Sequence, residues 1–113
     1  MAKSRKRVES VTPSSGNVFA DLGLSHAEEK QTKARLAVAI NRVLQERRLS
    51  QTAAARVLGI NQPKVSALAN YQLQGFSVER LLRFLNALGH DIEIVVKRRT
   101  KSRSGGRILV SAA

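Results

Sequence analysis

The chain has 113 residues, of which 20 are Lys or Arg and 8 are Asp or Glu, for a formal net charge of +12. That length fits one domain around a small core, with the surplus left to tails, and the charge favours a polyanionic partner, nucleic acid first. Cysteine is absent, which excludes disulfides, thiolate metal ligation and a thiol nucleophile. The basic residues near the N-terminus are not followed by an apolar run, so neither a signal peptide nor a membrane helix is expected. The cytoplasm, at the nucleoid, is the expected location.

Catalysis finds little support in the residue pattern. His26 and His90 stand at helix ends without acid–base partners nearby in sequence, and the acidic residues are scattered. The SGG of the tail lacks the strand and helix that would make it a phosphate loop. No enzymatic activity, metal or cofactor is therefore expected.

Residues 1–16, MAKSRKRVESVTPSSG, combine basic charge with Pro, Ser and Gly and read as a disordered basic arm. Such an arm either follows DNA or is merely solvated. The stretch NVFADLGL then brings Val18, Phe19, Leu22 and Leu24 close together, enough to dock on a helical core or on a partner. Ser25 and Glu28 form an S-x-x-E capping box. It opens a long helix to about Arg47, with Leu36, Ile40, Val43 and Leu44 on one face.

The central stretch, QTAAARVLGINQPKVSAL from Gln51 to Leu68, reads as two short helices joined by a tight turn. Ser50 caps the first, whose apolar positions are Ala54, Ala55, Val57 and Leu58. Gly59 can turn the chain in the left-handed conformation, Ile60 plugs the turn, and Asn61 caps the second helix. Pro63 falls in the first turn, where its missing N–H costs nothing. Val65 and Leu68 face inward, leaving Asn61, Gln62, Lys64, Ser66 and Ala67 as an outward polar face suited to a DNA major groove.

A polar loop from Asn70 to Phe76 is closed by Gly75, and Ser77 caps a further helix carrying Val78, Leu81, Leu82, Leu85 and Leu88 until Gly89 stops it. DIEIVVK then alternates as a strand, with Ile92, Ile94 and Val96 on one side. A lone strand leaves its backbone groups unpaired, and the other strand-like runs, Arg107 to Val110 and Gly16 to Phe19, are weak. Antiparallel pairing with a symmetry mate, giving a C2 homodimer, is the expected solution. Residues 98–106 read as a basic flexible tail, and the final RILVSAA is unassigned.

The central pattern resembles the helix-turn-helix of the Cro, CI and Xre type. Ala55 matches its small residue, Gly59 its turn glycine, and Ile60, Val65 and Leu68 its inward apolar positions. The wider stretch from about Gly16 to Lys97, including GNVFADLGL and FSVERLLRFLNALGHDIEIVV, is similar to Xre-family proteins that include HigA-type antitoxins. The expected fold is all-α, a compact lambda-repressor-like bundle of four to five helices with one C-terminal β-strand and basic flexible tails. It divides into an arm at 1–16, a DNA-binding domain with its strand at 17–97, and a tail at 98–113.

The resemblance also implies a site and partners. DNA recognition carries over to Gln51 and to Gln62 through Ser66, Pro63 included. Gln51 would hold a phosphate oxygen, whereas Gln62 can present donor and acceptor together to adenine N6 and N7. Lys64 is long enough for guanine or a phosphate, Ser66 can bond either, and Ala67 offers a methyl to thymine. Asn61 has two uses, a cap and a DNA contact, between which the sequence does not choose. Asn70, Tyr71 and Gln72 stand where relatives commonly carry arginines, which weakens the phosphate contact expected there. Tyr71 and Arg80 either add to that contact or are solvated.

The implied partners are double-stranded DNA bearing an inverted repeat, a second copy of the chain, and a RelE- or HigB-like toxin, with repression of the chain's own operon. The alternatives are a stand-alone phage-type repressor and a toxin-neutralising module that binds nucleic acid by charge alone. A steep salt dependence without sequence preference would mark charge-driven binding.

Overall fold

The computed structural model describes residues 25–98 and 107–112. The N-terminal arm, the Val18–Leu24 cluster and residues 99–106 of the basic tail lie outside the described residues. Within them are four helices, α1 His26–Glu46, α2 Gln51–Leu58, α3 Gln62–Ala69 and α4 Val78–Ala87. None is long and apolar enough to cross a membrane.

Each helix starts as its cap residue dictates. The Ser25, Ser50 and Ser77 hydroxyls accept from the N–H groups of Glu28, Ala53 and Arg80 at 3.1, 3.1 and 3.0 Å, and the Asn61 Oδ1 accepts from Lys64 N–H at 2.9 Å. One orphan donor per helix is thereby satisfied. The helix ends share a second rule. Arg48, Gly59, Tyr71 and Gly89 all have positive φ, at 54°, 72°, 59° and 88°. In each case the next residue's N–H reaches back to a carbonyl five positions earlier: Leu49 to Leu44, Ile60 to Ala55, Gln72 to Ala67 and His90 to Leu85. This is the left-handed stop that closes a helix and redirects the chain. The sequence shows it only where glycine stands.

The core is built from the expected faces. Leu36, Ala37, Ile40, Val43 and Leu44 of α1 meet Val78, Leu81, Phe84 and Leu85 of α4, and Ala54, Leu58, Val65 and Leu68 fill the space under α2 and α3. Ala54 is the more deeply buried of the neighbouring alanines, and Ala55 is half-buried against the core. Val57, one of the apolar positions of α2, is 40% exposed because the buried stripe of so short a helix is only Ala54 and Leu58 wide. Phe76, placed by sequence in a polar loop, is buried edge-to-face on Phe84, with ring centroids 5.8 Å apart.

Two long-range hydrogen bonds tie helix ends to α1. Asn41 Nδ2 donates to the Leu68 carbonyl at 3.1 Å, in the last turn of α3. The Arg47 guanidinium donates to the Leu88 carbonyl just past α4. The Leu68 carbonyl also accepts from the Tyr71 N–H at 3.1 Å, and the second bond sets a cation at the negative end of a helix dipole.

The strand expected over Asp91–Val96 is not formed with any other described residue. Residues 91–98 and 107–112 have no regular structure, and their backbones make no hydrogen bonds to other described backbone groups. A strand exists only through its ladder, and the other described residues offer these segments no ladder. Ile92 packs against the core, whereas Ile94, Val95 and Val96 are exposed. The end of the chain returns to the domain, where Val110 also packs against the core and Leu109 points outward.

Gly59 tests this architecture most directly. A Cβ there would meet nothing within 4 Å, so Gly59→Ala acts through backbone conformation alone. Left-handed strain of about 1–2 kcal/mol, less up to about 1 kcal/mol of reduced unfolded-chain entropy, leaves an expected loss of about 1 kcal/mol. Urea unfolding with an unchanged m value is the check.

Candidate nucleic-acid interface

The Gly59 turn sets α3 across α2. The Ala55 carbonyl accepts from both Gly59 N–H at 2.8 Å and Ile60 N–H at 3.1 Å, and Ile60 packs inward. The chain leaves this turn already pointed into the Asn61 cap. The first turn of α3 therefore emerges with Asn61, Gln62 and Pro63 exposed, while Val65 and Leu68 hold the opposite face in the core.

Gln62 is not loose on this surface. Its Nε2 donates to the Thr52 hydroxyl at 3.0 Å, linking the first residue of α3 to the second residue of α2. Ser66 and Ala67 lie lower on α3 and are half-buried, Ala67 against the core. Asn70 donates back to the Ser66 carbonyl at 2.9 Å, which ends the helix and occupies that side chain. Gln51 and Tyr71 line one groove together with Asn41, Gln45 and Arg48, so two residues twenty apart in sequence border one surface.

Lys64 and Arg80 each sit against one ring of the aromatic pair. The Lys64 ammonium lies 5.4 Å from the Phe76 ring centroid and the Arg80 guanidinium 5.7 Å from that of Phe84. Cations over ring faces are held by the ring quadrupole. Lys64 is half-buried there, turned toward the loop after α3 rather than along the Gln62 side. Two surface residues were missed by sequence reading. Thr52 gave no signal except its place at the start of α2; Ala69, exposed and seven residues after Gln62, lies on the Gln62 side of α3.

The electrostatics of the two motif helices differ from those of the others. Glu28 and Glu29 stand in the first turn of α1 and Glu79 in that of α4, but the first turns of α2 and α3 contain no acid. No Asp or Glu occurs between Glu46 and Glu79, where Arg47, Arg48, Arg56 and Lys64 do. The positive ends of α2 and α3 are thus left uncompensated by carboxylates, as an anion-binding surface requires.

A fold of this kind, with an exposed and acid-free second motif helix, defines a helix-turn-helix domain, and the helix-turn-helix domain family matches residues 18–97. A solved structure bearing the name XRE family transcriptional regulator is 62% identical, with a TM-score of 0.74, over 79% of this chain and 100% of that one. The chain belongs to the XRE family of helix-turn-helix transcriptional regulators. No curated protein matches it.

The capping role of Asn61 can be separated from any other. Asn61→Ala is expected to lower stability by about 1 kcal/mol and Asn61→Ser to retain nearly all of it. Thermal unfolding of the two variants checks this, and equal losses in both would show that Asn61 acts otherwise than as a cap.

Proposed function

We propose that this protein is a sequence-specific DNA-binding repressor of the cytoplasm that reads an inverted repeat as a C2 dimer, α3 lying in the major groove. The observation that carries this reading is the exposed first turn of α3, where Gln62 is oriented by a neighbouring side chain in a region free of carboxylates. Gln62 reads the base edge, and a bidentate amide–adenine pair discriminates by about 1–3 kcal/mol. Gln51, Tyr71 and Arg80 set the register on phosphates, with Lys64 reaching the backbone beside Phe76. Pro63, Ser66, Ala67 and Asn70 complete the contact surface.

Binding of the full chain to its own upstream DNA, against scrambled DNA of equal length, tests the reading. The native site should be preferred by a factor on the order of 10³ or more, and Gln62→Ala should lose about 1–3 kcal/mol of that preference. Equal binding to both duplexes, removed together by salt, would leave only charge-driven association.

Dimerisation is proposed through the segment around Ile94, Val95 and Val96. Those side chains are 42, 63 and 90% exposed, and the backbone beside them makes no ladder within the described chain. Apolar side chains beside an open edge suit pairing with another chain. In this reading two copies pair antiparallel and present two α3 helices about 34–36 Å apart, one turn of B-DNA. Sedimentation equilibrium should give a dimer for the wild type and a monomer for Val95→Lys/Val96→Lys with unchanged helical content. A wild-type monomer would overturn the dimer and turn the segment toward a different chain, the RelE-like toxin implied by resemblance to HigA-type antitoxins.

A further inference from the structure

We infer that Phe76 is a positioning residue of the DNA-reading surface, whose ring holds the Lys64 ammonium off the base edges and presents it to a phosphate; this rests on the DNA-reading role of α3 proposed above. Lys64 stands two residues after Gln62, about 200° further around the helix, so the two side chains leave α3 on different sides. Its ammonium lies 5.4 Å from the Phe76 ring centroid. A Cβ at Gly75 would stand 3.7 Å from the same nitrogen, so the lysine is laid along the end of the loop after α3 and is half-buried there. The ring beneath it is itself fixed. Phe76 is buried edge-to-face on Phe84, and its N–H donates to the Leu73 carbonyl at 3.0 Å. A cation of the recognition helix is thereby tied to a core side chain outside that helix.

The tie decides what kind of contact Lys64 makes. A lysine free on the surface gives up rotamer freedom when it meets a ligand, and its long stem lets it bond guanine as well as a phosphate. Lys64 has given up that freedom already, on the side of α3 away from Gln62. A ring face attracts the charge as a whole, and an ammonium has three N–H donors, so donors turned away from Phe76 remain for phosphate oxygens. Arg80 is held in the same way, 5.7 Å from the Phe84 centroid, which puts one cation on each ring of the pair. Glu79, the acid in the first turn of α4, is engaged by Arg83 at 3.1 Å rather than by either of them. Phe76 thus makes Lys64 a source of affinity without sequence preference, and leaves base reading to the Gln62 side.

The test is selection of binding sites from a random duplex pool, with the affinity and salt dependence of the selected site, for the full-length wild type, Lys64→Met, Phe76→Leu and the double variant. Lys64→Met keeps an apolar stem on the ring and removes the charge. It should weaken all sites alike by about tenfold and make the slope of log K against log salt shallower by about 0.9 for each subunit bound, with base preferences unchanged. Phe76→Leu should cost about threefold in the presence of Lys64 and nothing further in the Lys64→Met background, as two residues acting through one contact require. Equal costs in both backgrounds would mean that the ring serves the core alone, which overturns the inference. A second measurement does not depend on the folding of Phe76→Leu: the ring current of Phe76 should displace the proton resonances of the Lys64 methylene next to Nζ, in the free wild type and on DNA. Loss of that displacement in the complex overturns the inference. So does a Lys64→Met that binds like the wild type or loses the preference for one base pair, with the repressor reading intact in both cases. A wild type that selects no sequence removes the DNA-reading role itself, and the inference with it.

Discussion

The carbonyl of Ala55 and the left-handed turn at Gly59 are the constraint on which the rest of the interface depends. One carbonyl takes two N–H groups, from Gly59 and Ile60, and so ends α2 within a single residue. With Ile60 drawn into the core, the chain can only leave toward the Asn61 cap, and α3 starts beside the first turn of α2. The 3.0 Å bond between Gln62 and Thr52 is a consequence of that geometry. A longer turn would separate the two helix starts, and their exposed side chains would then be set independently. Asn41, by holding the far end of α3 to α1, fixes the other end of the same lever.

Charge acts on this frame by omission. A helix gains stability from acids in its first turn, and α1 and α4 have them. The starts of α2 and α3 forgo that gain and rely on the neutral caps Ser50 and Asn61. Neutral caps satisfy a backbone donor without cancelling the positive end of the helix. In the proposed reading, what small stability is lost comes back as attraction for phosphate, in a stretch whose only charged side chains are Arg and Lys.

Much of the fold was legible because it is written in local rules. The caps at Ser25, Ser50, Asn61 and Ser77, the glycine stops at Gly59 and Gly89, and the apolar stripes of α1 and α4 each follow from a side chain and its immediate neighbours. The stops at Arg48 and Tyr71 were not legible, since neither residue prefers a positive φ. There the tertiary packing of the following segment overrides local preference. Phe76 was misread for a related reason: its neighbours in sequence are polar, and only the approach of Phe84 makes its site apolar. Among the site residues, Gln62 could be picked out from helical register, but its link to Thr52 depends on the angle between two helices, which no spacing in the sequence encodes.

The strand shows a different limit. Alternation predicts a strand over Asp91–Val96, yet alternation says nothing about which neighbour completes the ladder, and the described residues form none. Ile92 is engaged by the core, while the residues after it present apolar side chains next to backbone groups without hydrogen-bond partners among the described backbone groups. Arg47 and the Gly89 turn fix where that segment leaves the domain. One recognition helix of eight residues contacts few bases, and a half-site of that size discriminates weakly against a genome of competitors. Doubling the contact through a symmetric edge multiplies the discrimination of one half-site by that of the other. The fixed exit at Gly89 is what would turn such pairing into a defined spacing between two reading heads.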